Sequence, residues 1–110
     1  MTPTSARNDL DRATVAKPIG DCRWRQRVRV RGRIRALRVQ PWAGGIATLE
    51  ATLVDATGGL TVIFMGRPRI AGLRLGAWIE VEGMVLENRG QLAIMNPEYS
   101  LLPDPNAHPT

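Results

Sequence analysis

The chain has 110 residues and a formal net charge of +5 at pH 7, a size that fits one small domain and leaves no room for a second catalytic lobe. Its single cysteine, Cys22, excludes an internal disulfide and a zinc site built from several cysteines. No stretch reaches the ~20 apolar residues that a membrane-spanning helix needs, and the N-terminus lacks an apolar signal segment, so we expect a cytoplasmic protein.

The composition predicts one folded region between two polar ends. For residues 1–18 we expect a flexible N-terminal segment, in which a short helix could begin with Asp9 as its N-cap. Residues 103–110 are rich in proline and polar residues, and we expect a disordered tail there. The domain itself is therefore predicted over residues 19–102.

The first predicted strand carries most of the basic charge. Arginine occupies every odd position from Arg27 to Arg35, and mostly apolar or small residues lie between. In a β-strand this period of two puts the arginines on one face and the apolar side chains on the other. On a helix the same arginines would point to all sides. We predict a strand from about Arg25 to Val39, with a bulge or bend at Gly32, followed by a loop over residues 40–45.

The same alternation, bounded by turns that contain glycine, predicts four further strands. They cover residues 46–55, 59–66, 77–87 and 91–95, and a compact hairpin turn at residues 88–90 joins the last two. Five strands with a pause between the third and the fourth fit a small closed barrel.

This order resembles the OB-fold, a Greek-key barrel used for oligonucleotide binding. Three stretches carry the resemblance: residues 55–64 (DATGGLTVIF), Leu75-Gly76 together with residues 81–83 (VEG), and residues 96–99 (NPEY). They are similar to the wedge OB domain of RecG-type helicases, and the whole chain resembles small stand-alone actinobacterial OB-fold proteins. The resemblance covers residues 19–102 and implies an all-β, five-stranded barrel that binds single-stranded DNA or RNA. The chain has no G-x-x-x-x-G-K-S/T phosphate loop, which excludes an ATP-driven motor.

Charge placement supplies the candidate binding residues. Eight arginines and no acidic residue lie between Arg23 and Arg38, and such a field attracts polyanions. An exposed Trp42 in the first loop could stack on a base. The predicted nucleic-acid-binding set is Arg27, Arg29, Arg31, Arg33 and Arg35 on the first strand, Trp42 in the first loop, Ile63 and Met65 on the third strand, and Arg67, Arg69 and Arg89 in the connections.

Two alternatives remain open. Glu50, Glu80 and Glu82 could lie across from the arginine row and neutralise it as an ordinary solvated face, although three glutamates cannot balance eight arginines. The barrel could also be a protein-interaction or oligomerisation module, with Thr61, Ile63 and Met65 as a small apolar patch.

Catalysis has little support in the sequence. His108 is the only histidine and lies in the predicted tail, so it cannot assemble a triad or a histidine-based metal site. The carboxylates alternate on strand exteriors beside arginines, which suits neither a general acid nor a metal cage. We therefore expect no enzymatic activity, no cofactor and no metal.

Overall fold

Strands make up most of the described structure. The computed structural model describes residues 16–41 and 45–104. It contains a 3₁₀ turn at Ile19–Asp21 and six strands, β1 (Arg27–Pro41), β2 (Ala47–Asp55), β3 (Gly58–Met65), β4 (Trp78–Asn88), β5 (Gln91–Met95) and β6 (Glu98–Leu102). The helix predicted near Asp9 and residues 105–110 of the predicted tail lie outside the described residues. Among the residues that are described, no helix has the length and apolar character needed to cross a bilayer.

β1 closes the sheet into a barrel because it pairs with two different strands. The sheet runs in the order β1-β2-β3-β5-β4, and β4 pairs in turn with the first half of β1, from Arg27 to Arg33. The second half of β1, from Arg33 to Pro41, pairs with β2. β3 and β5 are parallel, whereas the other pairs are antiparallel. This is the Greek-key barrel of the OB-fold, so the predicted all-β, five-stranded architecture is confirmed.

The strand β6 was not predicted from the sequence. It follows β5 along one edge of β4, where β5 pairs with the end of β4 and β6 pairs with its beginning. The break between them falls at Asn96, whose φ of 49° lies in the left-handed region, and at Pro97, which has no N–H for a neighbouring strand. Together β5 and β6 fill the fifth position of the barrel.

The core is built from the inward side chains of the barrel strands. Along the first half of β1, buried Val28, Val30 and Ile34 alternate with arginines that stay in contact with solvent, as predicted. They pack against the inward side chains of the other strands, which include Leu49, Leu53, Leu60, Val62, Phe64, Val81, Val85 and Ile94. Full burial of each such side chain contributes about 1.5–3 kcal/mol. Only the outward side chains of the barrel are left to contact a ligand.

The bulge in β1 lies three residues beyond the predicted position. The register against β2 shifts at Arg35, between Ile34 and Ala36, and not at Gly32. Before the bulge the odd-numbered residues face outward, and after it the even-numbered residues do, because Arg38 pairs with outward-facing Glu50. The bulge therefore moves Arg38 to the outside of the barrel.

The 3₁₀ turn covers one end of the barrel. Ile19 and Cys22 are buried in the core cluster, and two backbone N–H groups anchor the turn, with Ile19 N donating to Asp55 Oδ2 at 2.9 Å and Gly20 N to Thr57 Oγ1 at 2.8 Å. Partial desolvation by itself would raise the pKa of Asp55. Hydrogen bonds from Ile19, Thr57 and Gly58 outweigh this effect and hold the pKa below its ordinary value of 3.8. The turn between β2 and β3 is thus tied to the segment that precedes β1.

Gly32 is required by a close approach between β1 and β2. A Cβ atom at this position would lie 2.8 Å from the Val54 carbonyl oxygen and 3.0 Å from Leu53 Cγ. We expect Gly32→Ala to lower the free energy of unfolding by about 1–3 kcal/mol, measured by urea denaturation. Gly59→Ala is the matched control, because a Cβ there would meet its nearest atoms at ordinary distances of 3.6 and 3.7 Å. Equal losses in the two variants would contradict the close-approach explanation.

Asp55 should make stability depend on pH in the acid range. Its pKa is lower in the folded protein than in the unfolded chain, so ionisation favours folding above the unfolded pKa. This contribution is lost as the pH falls through the folded pKa. We expect Asp55→Asn to lower the free energy of unfolding at neutral pH by about 1–3 kcal/mol, and the difference from the parent to shrink below about pH 4. A difference that stays constant in urea denaturation between neutral pH and acid would show that the carboxylate is not responsible.

Candidate nucleic-acid interface

The arginines in the first half of β1 face a row of carboxylates. We call this set the arginine ladder, and it consists of Arg27, Arg29 and Arg31 with Glu80, Glu82 and Glu98. Glu82 accepts hydrogen bonds from Arg29 Nη2 at 2.9 Å and from Arg27 Nη2 at 3.1 Å. Glu80 accepts one from Arg31 Nε at 2.8 Å. These contacts follow from register, because Arg29 lies opposite Glu82 and Arg31 lies opposite Glu80. These three arginines thus form the ion pairs with strand carboxylates that the alternative of a neutralised face describes.

Two arginines of the predicted row lie beyond the ladder. Arg33 and Arg35 are exposed, and neither forms an ion pair with any residue that the structure describes. Arg33 lies where β1 changes partner from β4 to β2, and Arg35 is the extra residue of the bulge. Their positive charge is therefore not balanced in the way that the ladder is.

A groove of about 300 Å³ lies on the outer face of β2 and β3. We call it the outer groove. One wall comes from β1 after the bulge, the floor from β2 and β3, and the other wall from the hairpin between β4 and β5. The lining residues are Ala36, Leu37, Arg38, Glu50, Thr52, Thr61, Asn88, Arg89 and Gln91.

The hairpin wall depends on an unusual backbone conformation. Arg89 and Gly90 have φ values of 55° and 79°, the pairing that a tight two-residue hairpin turn demands. Arg89 and Gly90 are the whole loop between β4 and β5, because Asn88 already pairs with Gln91. This short turn places Asn88, Arg89 and Gln91 along the edge of the groove. Arg89 is thus the one member of the predicted binding set that lines the outer groove among the described residues.

The groove floor contains a buried carboxylate. The Glu50 side chain is 10% exposed, and its Oε1 lies 3.8 Å from Arg38 Nη2, beyond hydrogen-bond distance. Its Oε2 is buried and receives no hydrogen bond from any described residue. The alternative of a neutralised face placed Glu50 across from Arg27 to Arg35, whereas the register places it opposite Arg38 after the bulge.

Ile63 was predicted to contact a ligand, which requires an exposed side chain. The prediction is wrong for this residue. Ile63 is 0% exposed, although it lies on the outward side of β3. The register sets it between Glu50 on β2 and Met95 on β5, so strands flank it on both sides. Met65, two residues later, is half-buried, and its N–H donates to Asn96 Oδ1 at 2.9 Å. The predicted apolar patch is therefore not continuous.

Two other predicted arginines that the structure describes, Arg67 and Arg69, do not line the outer groove. Arg67 is exposed and contacts Tyr99 of β6, with Nη2 at 3.5 Å from the hydroxyl and the guanidinium carbon 5.9 Å from the ring centroid. Arg69 is exposed on the connection between β3 and β4. Trp42 lies outside the described residues. The described members of the predicted set are thus divided between the ladder, the region of the bulge, β3, the hairpin and the β3–β4 connection, and Trp42 is not among them.

Several groove residues were missed by the sequence analysis. Arg38, Thr52, Asn88 and Gln91 were not named as candidates, and Glu50 and Thr61 were named only in other roles, as a possible partner of the arginine row and as part of an apolar patch. One sequence signal pointed to Arg38, because the alternation that begins at Arg27 slips at Leu37, and a slip of one residue moves every later side chain to the opposite face. The hairpin residues carried no such pattern, since their position depends on how β4 and β5 pair across the barrel.

The described residues offer no metal centre or reactive thiol. No group of three His, Cys, Asp or Glu side chains in residues 16–41 and 45–104 could hold a metal ion. Cys22 is buried in the core, and desolvation raises the pKa of its thiol, which keeps it protonated at neutral pH.

Comparison with known proteins supports the fold. No protein-family model matches the chain, and no curated protein matches it. Among solved structures, the chain is similar to one in the crystal structure of the S. pombe Stn1–Ten1 complex, with a TM-score of 0.57 and 21% sequence identity. The match covers 73% of this chain and 60% of that chain, so this protein spans less than two thirds of its structural neighbour. At this identity the similarity concerns the fold alone, and it agrees with the OB barrel described above.

Proposed function

We propose that the protein is a non-catalytic, cytoplasmic OB-fold protein that binds single-stranded nucleic acid in the outer groove. The observation that carries this proposal is the groove itself, which lies on the β2–β3 face between the end of β1 and the β4–β5 hairpin. OB-folds bind oligonucleotides and oligosaccharides on this face, between the corresponding loops. Arg38 and Arg89 on opposite walls favour the polyanion.

The arginine ladder is a poor phosphate site. A phosphate approaching Arg29 or Arg31 must displace carboxylates that already contact these guanidinium groups at 2.9 and 2.8 Å. It also meets repulsion from Glu80 and Glu82, whose side chains remain beside the same arginines. We therefore move the proposed phosphate contacts from the first half of β1 to Arg33, Arg35, Arg38 and Arg89.

The proposed contacts predict a moderate dependence on salt. If four arginines each neutralise one phosphate of a single strand, the logarithm of the association constant should fall with the logarithm of salt concentration with a slope of about −3. Phosphate contacts carry no sequence information, so the proposed binding has low sequence preference over most of the strand. Trp42 in the loop between β1 and β2 remains a proposed stacking residue.

The charge contribution can be tested with two matched double variants. Arg35→Gln with Arg89→Gln removes the charge at the bulge of β1 and the charge of Arg89 on the groove wall, and we expect it to weaken binding of a labelled thymidine oligomer by about tenfold at low salt. The salt slope should also become less steep by about 1.4, because two phosphate contacts are lost. Fluorescence polarisation titrations at several salt concentrations measure both quantities.

Arg27→Gln with Arg31→Gln is the control for net charge, because it removes the same charge from the ladder. We expect it to change affinity by less than about threefold, since these arginines are already paired. Equal losses in both double variants would mean that overall charge, and not the groove, drives binding. Failure of the parent protein to bind any oligomer at low salt would end the proposal.

A protein-interaction function is the second candidate, but the structure supports a different surface for it from the one that the sequence suggested. The patch of Thr61, Ile63 and Met65 is unsuitable because Ile63 is buried. Leu75 and Leu101 are instead 64% and 43% exposed, and both line a second groove beside β6. Within the described residues β6 pairs only with β4, so no strand pairs with its other edge. The structural neighbour comes from a complex of two proteins, which is compatible with this second role.

Light scattering tests self-association through this second groove. If two copies associate there, Leu75→Asp should lower the average molar mass to that of a monomer, because a charge would be buried in the contact. Binding of the thymidine oligomer should remain unchanged, since Leu75 does not line the outer groove. A parent protein that is monomeric at high concentration would contradict self-association.

A further inference from the structure

The outer groove contains a negative charge that phosphate binding does not explain. Glu50 lies on the floor, in the middle of β2, with only 10% of its side chain exposed. A carboxylate at this position repels the phosphates that Arg38 and Arg89 attract. Its presence therefore works against a groove that recognises the nucleic-acid backbone alone.

No residue that the structure describes donates a hydrogen bond to the Glu50 carboxylate. Oε2 is buried without a donor among the described residues, and the nearest cation to Oε1 is 3.8 Å away at Arg38 Nη2. Burying an ionised group without hydrogen bonds is costly, and buried polar atoms without partners are rare in folded proteins. A ligand that brings N–H donors to this place would remove that cost.

We propose that Glu50 makes the outer groove selective for guanine at one position of a bound single strand, where its carboxylate accepts hydrogen bonds from N1–H and N2–H of the base. This inference rests on the proposed function and deepens it. Recognition of unpaired bases through their Watson–Crick edges is the usual way in which single strands are read.

The choice of guanine follows from the chemistry of the four bases. An ionised carboxylate only accepts hydrogen bonds, and its two oxygens suit two adjacent parallel donors. Guanine alone presents two adjacent donors on its Watson–Crick edge. Adenine and cytosine each place one amino group beside a ring nitrogen that is an acceptor, and thymine flanks its single N–H with two carbonyl oxygens. These acceptor atoms carry a negative partial charge and would be repelled by the carboxylate.

The surrounding residues allow one base to enter. Arg38 and Arg89 on the two walls can hold the flanking phosphates, so that the base between them points to the floor. Thr52 and Thr61 line the groove next to the pair formed by Glu50 and Ile63. Because both threonine side chains are short, they leave space above the floor of the groove for a base. Because Oε2 is buried, the Glu50 side chain must rotate toward the groove when the base binds, and Arg38 then loses a contact that is already long.

A set of single-position oligomers tests this selectivity. The probes are fluorescein-labelled thymidine nonamers with dG, dA, dC, dT or deoxyinosine in the centre, titrated by fluorescence polarisation at low salt. We expect the dG nonamer to bind about tenfold more tightly than the dT nonamer, which is the size of discrimination typical of one bidentate base contact. Deoxyinosine lacks the N2 amino group and should fall between them.

Variants of Glu50 separate base recognition from other roles. Glu50→Gln keeps the shape but has only one acceptor oxygen, so the preference for dG should fall below about twofold while affinity for the dT nonamer stays the same or rises. Glu98→Gln is the matched control, because it removes the same charge from a side chain that is 82% exposed on β6. If Glu50→Gln unfolds, Glu50→Asp keeps the charge but withdraws the carboxylate, and it should also lose the preference.

The possible outcomes distinguish this inference from the function on which it rests. Equal affinity of the parent protein for all five nonamers would overturn the guanine contact and leave nucleic-acid binding intact. Retention of the dG preference in a folded Glu50→Gln variant would also overturn it, because another group would be reading the base. Absence of binding to every nonamer would overturn both proposals.

Discussion

The structure depends on the backbone pairing of one strand, β1, with two different neighbours. Its first half hydrogen-bonds with β4 and its second half with β2, and this double pairing closes the barrel. The change of partner occurs at Arg33, next to Gly32, where β1 and β2 approach too closely for a side chain. Two residues later the bulge at Arg35 reverses which side chains face outward. The position of every candidate ligand contact on β1 follows from these two features.

Closure of the barrel also divides the arginine row into two parts, which differ in how many carboxylates lie beside them. In antiparallel pairs, residues directly opposite each other have their side chains close enough to interact, so pairing with β4 brings Glu80 and Glu82 beside the first arginines. The partner of the second half, β2, offers only Glu50 on its outward face next to Arg38. Positive charge is thus compensated where β1 meets β4 and largely uncompensated where β1 meets β2. The proposed function places the polyanion in the second region, because the outer groove lies there.

Charges of opposite sign in the outer groove have complementary roles in the proposed mechanism. Arg38 and Arg89 at the walls act on phosphates, and Glu50 at the floor acts on hydrogen-bond donors, which nucleic acids carry only on their bases and sugars. An entirely basic groove would hold a single strand in any orientation. A carboxylate on the floor disfavours phosphates there and favours an orientation with bases inward, so that affinity and orientation are provided by different residues.

The sequence by itself determined the class of fold, the approximate strands and the concentration of basic charge. Alternation is a local property of one segment, so the first strand was predicted at residues 25–39 and observed at Arg27–Pro41, and the fifth was placed correctly at Gln91–Met95. The tertiary structure decided which arginines are paired, that Ile63 is buried, and that Arg38, Glu50 and Arg89 surround one groove. These properties depend on register between strands that are far apart in the chain, and a shift of one residue reverses the faces. Local alternation therefore identified the charged segment, whereas only the pairing of strands around the closed barrel decided which of its charges are free to bind.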